Sequence, residues 1–414
     1  MTANVAEQID VYFDLTAVGG DFFTLDDAVK GKLDDATYLL AGPVATDISA
    51  YVLGYSLTRG RSRELDEIQA GTLNVRLNNY DGRFLPDAFT GTVGPYGADN
   101  IVPGKRVTVM TAGQAIFDGI IEDWSLAYSA DRTVSVSATA VDALAQLGRR
   151  NFNAWTATAS QTAGPRLTAI LDRSEVAWTP SRSIDTGVSS LLGDSVSYGS
   201  NVLNYCQLVA KSDLGRLFAS REGVLTFRDR HALVAPTSTL TFDDAGAGIP
   251  FVSAELAYGD MLLYTDVSVD REGGTAQTAT NTAARALYGI RRLDIGGLLL
   301  DSDAQSLDQA SWLNGIYSTP QPRINSLIVN LDRLLPADQA AVCSLDLASV
   351  VSVSWTPRGG TAIVADYVVE GLAHSADALG VHGVAVQLSP VFAGEALILD
   401  NSILGKLDSG VLAY

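Results

Sequence analysis

Over most of its length the chain alternates apolar and polar residues in short stretches separated by Gly, Asp, Asn and Pro. A period of two sends successive side chains to opposite faces, so each stretch reads as a half-buried antiparallel strand. Gly71 to Asn79 shows the pattern. Leu73, Val75 and Leu77 face one way, while Thr72, Asn74, Arg76 and Asn78 face the other. Val107 and Val109, Ile116 to Trp124, and Val134, Val136 and Ala138 continue the series. Residues 1–147 are expected to form a first β-domain, with a small barrel as its closed form, ending in the amphipathic segment Asp142 to Leu147.

The period then changes. Leu167, Ile170 and Leu171 recur at helical spacing after Pro165, a residue favoured near helix starts. A second helix should begin near Ser200 or Asn201, which suit capping, and carry Val202, Tyr205, Cys206 and Val209 on one face. Gly215 to Phe227 reads as a hairpin turning at Glu222-Gly223, so residues 148–235 are expected to be a small α/β domain. Strands resume in 236–392, the expected second β-domain: Thr239 to Phe242, Met261 to Asp270 with Leu263, Thr265, Val267 and Val269 in register, Ile324 to Leu331, Val350 to Trp355, Ala362 to Leu372 and Val384 to Leu388. One helix interrupts them, from Ser302 to Tyr317, and Pro320 and Pro322 stop it.

An internal repeat links the ends. Leu25-Asp26-Asp27 with Gly31-Lys32-Leu33-Asp34 returns as Leu399-Asp400-Asn401 with Gly405-Lys406-Leu407-Asp408. Two similar surface hairpins would account for it, and so would a docking clasp used at each terminus, with 393–414 as a docking tail.

Composition bounds the function. A chain of 414 residues, 47% apolar and 18% charged, has enough apolar surface for two to four packed domains and is too apolar for disorder. No apolar run reaches the roughly 18 residues of a membrane span, and Met1 to Glu7 lacks the basic start and apolar stretch of a secretory signal. A soluble protein without membrane contact is expected. The net charge of −19 disfavours stable binding to DNA or anionic lipid, since both need surplus Lys and Arg, but suits a conduit through which DNA slides. Cys206 and Cys343 are too few for a disulfide scaffold and read as buried small apolar groups. His231, His374 and His382 match no zinc spacing and read as surface or turn residues.

No catalytic, cofactor-binding or metal-binding residues are expected, and the protein is not expected to be an enzyme. Glu122 and Asp123 are the kind of carboxylate pair a glycosidase needs, yet on a strand they point to opposite faces. Gly60 to Ser62 lacks Gly-x-Ser-x-Gly spacing, and there is no Gly-rich Lys-Ser/Thr phosphate loop. A carbohydrate-binding sandwich is the rival from another class. Trp124, Trp155, Trp178, Trp312 and Trp355 are scattered, however, and read as core or subunit contacts.

The run RGRSRELDEIQAGTLNVRLNNYDGRFLP, Arg59 to Pro86, followed by Gly94-Pro95-Tyr96, Pro103-Gly104-Lys105-Arg106 and Phe117-Asp118-Gly119, resembles the minor tail proteins of siphophages, particularly those infecting actinobacteria. Asp81-Gly82 within it is a hairpin-turn signal. Asn201 to Leu203, Gly215 to Phe218, Glu222 to Phe227 and Arg230 are similar to tail-hub proteins of the same phages. The resemblance implies a mainly β chain with a small α/β insert and two tube-like β-barrel domains in a hub-type architecture. It further implies a tail-tip ring, trimeric and pseudo-hexameric, that adapts six-fold to three-fold symmetry; a hexameric distal tail protein or a receptor-binding tail protein are the alternatives. Implied partners are further copies of the chain, the distal tail protein or tail tube, the tape measure protein, and other minor tail and receptor-binding proteins. The implied location is the virion tail tip, after assembly in the host cytoplasm, with DNA passing through the lumen. Pairs around Arg59, Arg61 and Arg63 would then lie at contacts between neighbouring chains.

Overall fold

A computed structural model describes residues 5–13 and 44–391, apart from 93, 98, 129–133, 234–236 and 378–379. Both copies of the Leu-Asp repeat lie outside the described residues.

The first seven strands are β1 (Glu7–Phe13), β2 (Val44–Asp47), β3 (Val52–Gly60), β4 (Gln69–Asn78), β5 (Arg106–Thr111), β6 (Gln114–Tyr128) and β7 (Val134–Val141). They pair antiparallel in the order β3-β4-β7-β6-β5-β1-β2. Alternation sets the faces as expected: on β4, Leu73, Val75 and Leu77 are buried while Thr72, Asn74, Arg76 and Asn78 are exposed. Each such buried aliphatic side chain stabilises by about 1.5–3 kcal/mol. Gly82 has φ +74° and its N–H donates to Asn79 O at 3.1 Å, so the Asp81-Gly82 turn exists. It is not a hairpin, however. The chain runs on through α1 (Asp87–Thr90) to β5, which pairs with β1 and β6 and not with β4. After β7, the Asp142 side chain accepts from Leu144 N at 2.9 Å and caps α2 (Ala143–Gly148).

The middle segment builds its own core. β8 (Trp155–Thr156), α3 (Ala163–Leu171), β9 (Arg182–Ile184), β10 (Ser195–Val196), α4 (Val202–Ser212), β11 (Arg216–Ala219) and β12 (Leu225–Arg228) enclose Phe152, Leu167, Ile170, Cys206, Val209 and Phe227. α4 starts where capping places it, with Asn201 Oδ1 accepting from Asn204 N at 3.1 Å, and α3 carries Leu167, Ile170 and Leu171 buried as the periodicity places them, though it begins at Ala163 without a side-chain cap.

The remaining strands divide between two sheets. β13 (Leu240–Asp243) and β14 (Ser253–Ala257) precede a satellite of β15 (Asp266–Arg271), β16 (Gln277–Thr280), α5 (Thr282–Tyr288), β17 (Arg292–Leu298) and α6 (Asp303–Tyr317), packed around Val267, Val269, Leu298, Ala310 and Leu313. Then come β18 (Arg323–Asn330), α7 (Pro336–Cys343), β19 (Val350–Trp355), β20 (Ile363–Asp377) and β21 (His382–Pro390). Two expectations are corrected. The strand expected from Met261 begins at Asp266 and belongs to the satellite, because Leu263 N–H turns back to Asp260 O at 3.2 Å. The described residues of this part of the chain also carry three α-helices, α5, α6 and α7, where one was expected.

The protein is mainly β, and its two large halves are continuous. Among the described residues, the order β14-β18-β21-β20-β3-β4-β7-β6-β5-β1-β2 makes one thirteen-stranded sheet, with β19 attached to β20 and β13 to β19. Strand pairing closes neither half into a separate barrel among the described residues. The sheet nevertheless curls until Glu7 on β1 reaches His382 on β21, at 2.8 Å between Oε1 and Nδ1. A single hydrophobic core runs through both halves, from Ile9 to Leu388.

Candidate functional site

β3 and β20 form the seam between the halves. Along one edge, β20 pairs Ile363–Val368 with β19 and then Gly371–Asp377 with β3. Between the two partners its register shifts at a bulge, and the bulged residue is Glu370. A bulge re-aims a side chain, and this one turns a carboxylate inward. Glu370 is buried and accepts from Arg61 Nε at 2.7 Å, Arg216 Nη2 at 3.0 Å and Ser389 Oγ at 2.7 Å. Burial alone would raise its pKa, but the Arg216 and Arg61 guanidiniums and the bonds from Arg61 and Ser389 outweigh it and hold the group down at about 2.

Neighbouring pairs extend this knot. Arg59 is buried and bonds Asp346, Ala219 O at 2.9 Å and Ile116 O at 3.4 Å. Asp346 also accepts from Arg221 N at 3.0 Å. Glu64 pairs with Arg323; burial nonetheless raises its pKa against the pull of that guanidinium. The run Arg59–Glu64 thus reaches the second half through Asp346, Glu370 and Arg323. It meets the middle segment at Ala219 O and shares Glu370 with Arg216 and Asp346 with Arg221. Gly60 sits within it at φ +90°, where an added Cβ would lie 2.3 Å from Glu370 O. Beside the knot is a cavity of about 250 Å³, walled by Glu64, Ile68, Lys211, Arg216 and Trp312 among others.

This corrects one expectation directly. Arg59 and Arg61 are engaged inside the chain, because the β3–β20 ladder carries them against the carboxylates of the second half; Arg63 is exposed. Two of the three histidines need correction too. His374 and His382 are buried, because they continue the inner-face alternation of Leu372 and Ala376 on β20 and of Val384 and Val386 on β21. His374 Nδ1 lies 3.1 Å from His382 Nε2. His231 stands half-buried in a 3-10 turn.

The remaining candidates are not brought together for chemistry. Glu122 is at a bulge of β6 and pairs with Arg149, while Asp123 is exposed. Cys206 and Cys343 are free and buried; burial pushes the Cys206 thiol far up and Cys343 up to about 12, so neither is a nucleophile near neutral pH. Among the described residues, no group of three or more His, Cys, Asp and Glu is arranged to hold a metal ion, and no helix is long and apolar enough to cross a membrane. Trp124 and Trp355 belong to the main core, Trp155 and Trp178 pack on that of the middle segment, and Trp312 on that of the satellite, so they line no common groove.

No protein-family model and no curated protein matches the sequence. The fold is similar to that of the 43 kDa tail protein of prophage MuSo2 from Shewanella oneidensis, at 13% identity and a TM-score of 0.59, over 94% of this chain and 98% of the other. It is also similar to that of a tail protein from Neisseria meningitidis MC58, at 11% identity and a TM-score of 0.58, over 92% and 96% of the two chains. Along nearly its whole length, then, this chain has the fold of those two tail proteins.

Proposed function

We propose that the protein is a structural hub component of a bacteriophage-type tail, acting through assembly and not through chemistry. The observation that carries this reading is the seam: two large sheet halves in one chain are joined by the β3–β20 ladder and locked by the Arg59–Glu64 knot. Each half supplies one tube-like unit. A trimer then presents six such units in a ring, matching six-fold tail tube or distal tail protein on one side and three-fold tip proteins on the other. The fold shared with two tail proteins supports the same reading. The tape measure protein and receptor-binding proteins are its further partners, and the acidic balance of −19 suits a lumen through which DNA passes without sticking.

The test is the mass and symmetry of the purified assembly. Native mass spectrometry should give a trimer, and electron microscopy a ring with pseudo-six-fold outline and more than about 1,000 Å² buried between neighbours. A hexameric ring with one tube-like unit per chain would replace the hub by the distal-tail alternative.

A further inference from the structure

We propose that Glu7, His382 and His374 form a proton-counting latch that fastens β1 to the β20–β21 hairpin, holding through one bound proton and releasing β1 on the second. The geometry is specific. Among the described residues β1 pairs only with β2 and β5, so no ladder joins it to β3 or β21. The bridge is a side-chain chain instead: Glu7 Oε1 to His382 Nδ1 at 2.8 Å, then His382 Nε2 to His374 Nδ1 at 3.1 Å. The two histidines are diagonal neighbours, since His382 opposes Ala376 and His374 opposes Val384.

Hydrogen-bond bookkeeping dictates the proton count. A carboxylate accepts only, so His382 Nδ1 carries a hydrogen. With both rings neutral, His382 Nε2 accepts from His374 Nδ1–H. The first added proton goes to His382 Nε2. That bond then reverses direction, His374 shifts to the other tautomer, and the bond to Glu7 becomes an ion pair, so both contacts survive. A second proton must go to His374 or to Glu7. On His374 it sets two N–H groups and two cations against each other in a buried site; on Glu7 it strips the imidazolium of its counter-charge.

β3 presents Tyr55, whose ring meets His382 edge-on and whose hydroxyl lies 3.1 Å from Thr111 Oγ1, and Arg59. α7 presents Cys343, and the turn after β18 presents Asp332, whose Oδ1 accepts from His382 N at 3.5 Å. Asp377 lines a cavity of about 90 Å³ with Glu7 and Gly54. Burial holds Tyr55 and Cys343 protonated at neutral pH. Burial, then His382 and Arg59, hold His374 well below the usual histidine value.

Three histidines in the whole chain make the test direct. Nitrogen-15 spectra of the labelled full-length protein follow each ring through an acid titration, while hydrogen exchange follows the amides of β1. His382 should protonate first with β1 exchange unchanged. Exchange should then accelerate about tenfold or more as His374 or Glu7 takes the second proton, with α4 still protected. Glu7→Gln should move that release upward by about one pH unit or more and make it a one-proton event. Release of β1 with the first proton, no release as His374 and Glu7 titrate, or loss of protection in α4 at the same pH each overturns the latch. Should Glu7→Gln not fold, the unsubstituted protein's profile decides on those same outcomes.

Discussion

Glu370 shows what single residues contribute here and how little of that is local. Its carboxylate is fully enclosed and shared by two guanidiniums, so removing the charge strands both. Glu370→Gln should cost about 3–5 kcal/mol in urea unfolding at neutral pH. The pH dependence has a definite sign. The folded pKa lies below the ordinary 4.5, so this stabilisation is complete above 4.5 and is lost as pH falls towards about 2. Glu370→Gln should flatten that acid limb, as read from urea midpoints across the same range. The Arg-Gly-Arg run was legible as a source of carboxylate pairs, but not the partners, because Glu370 lies 309 positions from Arg61 and 154 from Arg216. His374 and His382 were misjudged for want of the period: each occupies an inner-face position of its strand, where alternation continues through it.

Elements were readable where local chemistry is strong. Asn201 and Ser302 announce α4 and α6, and both cap through side-chain oxygens. Asn201 also donates from Nδ2 to Gly148 O at 2.7 Å, tying the start of α4 to the end of α2. Asn201→Ala should therefore cost about 1–2 kcal/mol, seen as faster amide exchange in the first turn of α4. α5 went unread because it buries Ala284 alone and has no apolar stripe; α7 buries Gln339, Val342 and Cys343, too short a pattern to register. At the seam, Gly60→Ala combines a left-handed φ with a contact against Glu370 O. It should destabilise by more than about 1 kcal/mol, measured by thermal unfolding, with the loss concentrated in the β3–β20 exchange-protected amides.

For the whole molecule, the strand-rich halves were legible and their fusion was not, because pairing Gly54–Gly60 with Gly371–Asp377 is a long-range choice that no local pattern encodes. The halves are consequently interdependent. A fragment ending at residue 235 would leave the β3 edge unpaired and Arg59 and Arg61 without Asp346 and Glu370, and should sediment as aggregate, whereas the full chain stays in the supernatant. The seam also has a mechanical meaning. Inter-strand hydrogen bonds lie perpendicular to their strands, so a pull directed along β20 loads all its pairs with β3 together and cannot open them one by one. With β19 gripping the leading part of the same strand, a tug on one half passes to the other in shear through one backbone. This is the loading direction in which a sheet yields least.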